Sequence, residues 1–440
     1  MFSYHHEYNK CLVYKVFCAE KPDRVITDFE QTLEIIRKVH FMTGGIRQIV
    51  YLIGWQYDGH DSKYPAWFEV NKRLRRRGDD TAKASLQWLM AEAQHYNTVV
   101  SLHIDMCIAF TDSPLWDEYV ANDLLVKNPD GSYMDVGILW GGEQSFAVSK
   151  TLDFQKGFAQ KRISRLLELL PELRNAATIH IDVFMPIPSP FHKITRDDEF
   201  ESMKAILACW NSYGIDVTTE WFHFELAGYV PMAWHFNLGE ASRLEYPSSL
   251  ICGGGKCWNT SSVRPRYPGM AGLNFARPEE GCLYEEAWGY SMDQDFTPGF
   301  EKYFRQNFYL STLPWTYLNT KTILKHVQTK SNYSVEFGDG ITSDVETDNQ
   351  HFTIKTGDRI LVDGTDVFIP AVWTDTSWIM YSHDGGHKRW PVPEQWQGLN
   401  RLKFKDLSAY PEDRITYIDC ASGYLEMEIK PLQAFMVSAR

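Results

Sequence analysis

Two acidic side chains stand where a parallel strand would hand them to a reaction centre. The run Thr178-Ile-His-Ile-Asp-Val-Phe184 is apolar except at His180 and Asp182. Alternation along a strand puts those two on one face and Ile179, Ile181 and Val183 on the other. A carboxylate set into such a strand is costly to desolvate without a partner, so Asp182 is either paired with a hidden cation or used for chemistry. Glu220 closes the next run, Ile215-Asp-Val-Thr-Thr-Glu-Trp-Phe222, flanked by Trp221 and Phe222. An apolar wall raises a carboxyl pKa, as a general acid requires. The two acids are 38 positions apart, room for one helix and a return to the neighbouring strand. Two carboxyls on adjacent strand ends could flank a glycosidic bond. A gap of about 5 Å gives retention through a covalent intermediate and a wider gap gives inversion, which sequence alone does not decide.

A third cluster follows the strand ending at Ile53, in Gly54-Trp-Gln-Tyr-Asp-Gly-His-Asp-Ser62. Loops at the C-terminal ends of barrel strands carry substrate contacts. Trp55 could pack on a sugar ring, and His60 and Asp61 could bind hydroxyls through charge-assisted hydrogen bonds. Asp105, ending Leu102-His-Ile-Asp-Met106, is a further substrate-binding candidate. His5-His6 reads as an exposed terminus rather than a metal site, and the basic run Lys72–Arg77 as a solvated face. Gly253–Gly255 lacks the Lys-Ser/Thr of a phosphate loop. The sequence shows no metal cluster and suggests no cofactor, since two carboxylates suffice for the chemistry.

The elements that must position these residues alternate. Strands are expected at Leu12–Phe17, Ile46–Ile53, Val99–Met106, Thr178–Phe184 and Ile215–Phe222, with weaker candidates at Met232–Asn237 and Leu283–Tyr290. Helices are expected at Asp79–Tyr96, Phe154–Leu170, Asp197–Tyr213 and Phe300–Leu310. A further helix, with Phe29, Leu33, Ile36 and His40 at helical spacing, starts from a capping box at Thr27 and Glu30. Repeated strand–helix units imply parallel pairing, and their number favours a closed (β/α)₈-type barrel over residues 1–324. From about residue 325 short alternating strands between Gly and Asp turns predict an all-β domain, a β-sandwich, over residues 325–440.

Of 440 residues 14% are aromatic, including 15 Trp, and the formal charge is −13. Such a charge disfavours nucleic acid and anionic membrane as partners; an aromatic-rich pocket suits a small neutral glycoside. Eight scattered cysteines, with no leader-like apolar segment at Met1–Glu7, suggest buried thiols in a cytoplasmic protein, though a trimmed secreted form would look the same. The sequence says nothing of oligomeric state.

Several of these segments resemble one family. Tyr51–Ser62 looks like the Gly-His-Asp-Ser loop of the endo-α-N-acetylgalactosaminidases of glycoside hydrolase family 101. Ile179–Val183 is similar to the strand carrying that family's nucleophile, and Thr218-Thr-Glu-Trp221 to the strand carrying its acid/base. Leu361–Asp366 and Met380–Trp390 look like its following β-domain. The resemblance implies a retaining hydrolase of α-linked N-acetylgalactosamine in O-glycan-type glycosides. Asp182 would be nucleophile and Glu220 acid/base, with His60 and Asp61 on ring hydroxyls and Trp221 in the substrate-binding wall. Trp140, in Gly137–Gln144, would occupy one position of a tryptophan lid, with Gln144 beside it on the substrate. The chain lacks the large extra modules of the secreted endo-enzymes and a second lid aromatic. A smaller glycoside cleaved in exo fashion, as by related α-N-acetylgalactosaminidases, is therefore open, as are α-galactosidase activity and a non-catalytic sugar-binding role.

Overall fold

The computed structural model describes residues 3–439 except 140–141, 221–222, 233–303, 307, 319, 330, 347–350 and 421–422. Five strands form one parallel sheet: β1 (Leu12–Phe17), β2 (Gln48–Ile53), β3 (Thr98–Asp105), and, beyond an inserted sheet of three short strands β4 (Ile108–Phe110), β5 (Asp135–Ile138) and β6 (Gln144–Ala147), β7 (Thr178–Asp182) and β8 (Asp216–Thr219). Each parallel strand pairs with the parallel strand before it in the chain, in the order β1-β2-β3-β7-β8. That is a sheet wound in one direction, with helices α1 (Phe29–Met42), α2 (Ala82–Ala93), α3 (Phe158–Leu169) and α4 (Arg196–Ser212) as crossovers. The expected strands at Met232–Asn237 and Leu283–Tyr290 fall, apart from Met232, outside the described residues, as do Cys252, Cys257 and Cys282.

Local chemistry sets the boundaries. The capping box of α1 sits one residue later than the sequence suggested. Asp28 accepts from the Gln31 N–H at 2.8 Å, and the Gln31 side chain accepts from the Asp28 N–H at 2.9 Å. A carboxylate at that helix start also answers the helix dipole, which Thr27 could not. Helix α4 opens with a reciprocal Thr195–Asp198 pair. The expected helix from Phe154 is split: residues 150–155 form a short helix, and Gly157, at φ 82°, separates it from α3. All six residues of β1, of β2 and all eight of β3 are buried except at trace level, as strands covered on both faces must be.

The interior of the sheet carries polar side chains in layers. Low in it, Tyr51 Oη lies 2.6 Å from Thr178 Oγ1, and Tyr8 Oη donates to the same oxygen at 2.7 Å. The buried Asp216 accepts from the His5 backbone N–H at 2.8 Å, so the first residues close the foot of the sheet. His5-His6 is thus partly packed, with a His6 ring nitrogen 2.8 Å from the Ala176 carbonyl. Nor is Lys72–Arg77 a uniformly solvated face, since Arg76 stacks on Trp88 at 3.4 Å and Arg73 donates to the Asp58 carbonyl.

From Ile323 every named strand pairs antiparallel. Seven strands meander from Ile323 to Ser382; the sheet then continues through Gln433–Ser438, Arg401–Asp406 and Ile415–Asp419, ten strands in all. A separate ladder of Gly386–Pro391 with Tyr424–Ile429 packs on it through Phe368 and Trp390, ring centroids 5.8 Å apart. The two halves share one apolar core. Tyr309, stacked on Tyr381 at 4.7 Å, donates to the Met42 carbonyl at the end of α1, and Tyr410 donates to Glu34 at 2.9 Å.

Candidate active site

The register of the parallel strands brings the two predicted acids together. His103 on β3 is level with His180 on β7, and Asp105 with Asp182. His180 is level in turn with Thr218 on β8, and the Glu220 N–H, just past that strand, donates to the Ile181 carbonyl at 3.2 Å. Asp182 and Glu220 therefore leave adjacent strand ends toward the same space, and the Glu220 charge bears on the Asp182 carboxyl. Both reach solvent by a narrow margin, with side chains 14% and 10% exposed, so neither is sealed into hydrocarbon.

Three further groups complete the centre, none of them named from the sequence as a site residue. Lys15, 1% exposed in β1, donates from Nζ to Glu220 Oε1. His103 Nε2 stands 3.6 Å from Asp182 Oδ2, and His180 Nε2 stands 3.8 Å from Glu220 Oε1. The signal for Lys15 was present: a lone lysine in Leu-Val-Tyr-Lys-Val-Phe, a strand buried on both faces, has no water to reach and must have an internal anion.

Burial and the neighbouring charges set the proton affinities. The Asp182 carboxyl is held well above the ordinary carboxylate range, first by burial and then by the Glu220 charge, with Lys15 pulling the other way. The His103 imidazole is held well below its usual range, first by burial and then by Lys15, so it is neutral near pH 7. His103, His180 and Glu220 offer ligand atoms within 4.8 Å of one another, the spacing of a metal trio. The Lys15 ammonium on the same Glu220 oxygen opposes a second cation there, and the cluster is better read as charge-paired acids.

The other predicted residues fall into distinct places. His60 and Asp61 are buried at the rim of the centre, with His60 Nδ1 3.7 Å from Asp61 Oδ1 and its ring edge-on to His103 at 5.8 Å. The loop is fixed by its glycines. A Cβ on Gly54 (φ +71°) would lie 1.9 Å from the Ala19 carbonyl oxygen, and one on Gly59 (φ +116°) 2.6 Å from it. That same oxygen accepts from the His60 N–H at 2.8 Å. Trp55 is wholly buried and donates to the His103 carbonyl at 3.0 Å, so it steadies β3 rather than presenting a face to a ligand. Asp105 is likewise buried and accepts from the Cys107 and Ile108 N–H groups at 2.5 and 2.9 Å, pinning the turn after β3. Gln144 lies on the inserted hairpin, donating to Asp135 at 2.5 Å, and is not brought to the two acids. Trp140 and Trp221 lie outside the described residues.

Two carboxyls on neighbouring strand ends of a parallel α/β sheet, each reaching solvent, form a candidate two-carboxylate site. Residues 22–237 match the family model described as endo-alpha-N-acetylgalactosaminidase. Among solved structures the fold is similar to alpha-N-acetylgalactosaminidase NagBb from Bifidobacterium bifidum. Its GalNAc complex aligns with TM-score 0.57 and 13% identity, covering 79% of this chain and 57% of that one. A quadruple mutant of the same protein aligns with TM-score 0.59 and 12% identity over the same shares. This chain thus spans little more than half the length of that relative.

Proposed function

We propose that the chain is a retaining glycoside hydrolase that cleaves α-linked N-acetylgalactosamine from small O-glycan-type glycosides. In this reading the five-stranded parallel sheet is the described part of a (β/α)₈-type barrel, and the antiparallel half a sandwich-like domain packed beside it. The observation that carries the reading is that Asp182 and Glu220 lie at the ends of adjacent, register-paired parallel strands. Retention is proposed on the family match over residues 22–237. Asp182 attacks the anomeric carbon while Glu220 protonates the departing oxygen. Glu220 then takes a proton from the water that cleaves the ester. His60 and Asp61, at the rim, supply donors and acceptors for ring hydroxyls. The family match over residues 22–237 supports N-acetylgalactosamine as the sugar.

Chromogenic α-N-acetylgalactosaminide, α-galactoside and core-1 disaccharide substrates test this directly. Turnover of the first or third is expected, and ¹H NMR of the first-formed sugar should show the α-anomer. Initial release of the β-anomer would replace retention by inversion; binding of N-acetylgalactosamine with no turnover of any glycoside would overturn the enzymatic reading.

A further inference from the structure

We infer that Val183 is a positioning residue for Asp182: its left-handed backbone ends β7 at the nucleophile and aims that carboxyl into the site, and a clasp from the turn after β3 keeps it there. The inference rests on the two-carboxylate reading above and deepens it. Val183 has a φ of +40°. Among the described residues it is the one β-branched side chain in that region. A branched Cβ crowds the backbone there, and the conformation persists only where its surroundings enforce it.

Alternation along the strand shows what the turn does. Were Val183 extended, β7 would run on past the edge of the sheet, and Phe184 would share a face with Asp182. Its ring would then stand next above the carboxyl. The left-handed residue breaks the alternation: β7 stops at Asp182, and Phe184 is wholly buried in the core. The clasp comes from the neighbouring strand. The Val183 carbonyl accepts from the Cys107 thiol and from the Met185 N–H, each at 2.8 Å. Cys107 is itself fixed on both backbone sides. Its N–H donates to Asp105 Oδ1 at 2.5 Å, and its carbonyl accepts from the Val148 N–H, just past β6, at 2.7 Å. Asp105 is level with Asp182 across the β3–β7 pair. The buried Asp105 thus fixes Cys107, Cys107 fixes the peptide after Val183, and that peptide sets where the chain leaves Asp182. Without the thiol only the short Met185 bond opposes a return of Val183 to the extended basin.

Four proteins test this: the wild type, Cys107→Ala, Val183→Gly and the double variant. Glycine takes the left-handed turn without strain and so needs no clasp. Cys107→Ala should lower kcat on the order of 10-fold with KM within about 2-fold, since a misaimed nucleophile loses rate rather than binding. Val183→Gly should lose about 2- to 5-fold, because glycine also visits other shapes. In the double variant kcat should stay within about 2-fold of Val183→Gly, a coupling that a cavity at Cys107 would not produce. Losses that multiply, or an unchanged kcat in Cys107→Ala, would overturn the inference. A second measurement needs no turnover. Burial and the Glu220 charge hold the Asp182 carboxyl high, with Asp105 adding to them, Lys15 opposing them and His103 also facing it. In ¹³C NMR, with the resonance assigned by its loss in Asp182→Asn, that carboxyl should titrate lower in Cys107→Ala, nearer the ordinary range, and move back up in the double variant. An unmoved titration would sink the proposal even if activity had fallen. If the wild type turns over no glycoside while the titration moves in this way, the glycosidase reading fails and the placing of Asp182 by Val183 stands.

Discussion

Asp182 and Glu220 divide the chemistry by what each must do to a proton. Asp182→Asn cannot form the ester and should leave less than about one-thousandth of the wild-type turnover on any substrate. Glu220→Gln should slow substrates with poor leaving groups on the order of 100-fold or more, yet spare activated aryl glycosides in the first step, because these leave without a proton. A comparison of leaving groups of differing acidity checks both. Asp105 carries a different consequence. Burial pushes its carboxyl up to about 7, against two backbone N–H bonds and Lys150 that favour the anion. The folded protein therefore keeps this proton to near pH 7, while the unfolded chain releases it near pH 4. Stability from this group falls as pH rises between those limits and is level above them. Asp105→Asn keeps the accepting oxygen and removes the charge. Urea denaturation should show it gaining on the wild type from pH 4 to 7, by about 2–4 kcal/mol at the upper end. Asp182, Glu220, His60 and Asp61 were legible in the sequence because each ends a strand or follows one. His103 and Lys15 were not singled out, because a polar residue inside a strand looks alike whether it faces water or another buried charge.

At the level of elements, two small features hold the centre in place. The Asp28–Gln31 box fixes the start of α1, and Asp28→Ala should cost about 0.5–2 kcal/mol in a denaturant titration with the midpoint moved and the slope unchanged. Gly54 sets the turn that brings His60 and Asp61 to the rim, at a φ of +71° with the Ala19 oxygen 1.9 Å from any added Cβ. Gly54→Ala must shift that loop, and kcat/KM should fall at least about 10-fold while the thermal midpoint drops only a few degrees. Strand and helix identities were readable from periodicity, since β1, β2, β3, β7 and β8 are apolar runs between turn signals. Their edges were less so: one carboxylate moved the α1 cap by a residue, and Gly157 broke the expected helix, both through backbone hydrogen bonding that apolar spacing does not record. The inserted hairpin β5–β6 gave no signal of its role, since its apolar Val136 and Ile138 share one face yet are exposed, 39% and 69% accessible.

Across the whole molecule the two halves are tied by a continuous core and by Tyr309 and Tyr410, whose hydroxyls end on α1. They should therefore unfold together: far-UV circular dichroism and tryptophan fluorescence should give coincident thermal curves, and two separated transitions would show independent domains. The change from parallel to antiparallel pairing near residue 325 was visible in the shortening, alternating strands, because local turn chemistry marks hairpins. The joining of ten strands into a single sheet was not visible, because it depends on pairings between distant segments. One of those pairings governs how the protein can be made. The strand Gln433–Ser438 lies inside the sheet, between Trp378–Ser382 and Arg401–Asp406, yet it follows every other strand in the chain. On the ribosome, Arg401–Asp406 and Ile415–Asp419 emerge with no neighbour to join them to the meander, and they must wait, edges bare, for the segment that bridges them. The parallel half can take shape during synthesis, but the antiparallel half closes only after translation has passed residue 438, leaving nascent chains stalled before that point exposed to chaperones and to edge-on aggregation.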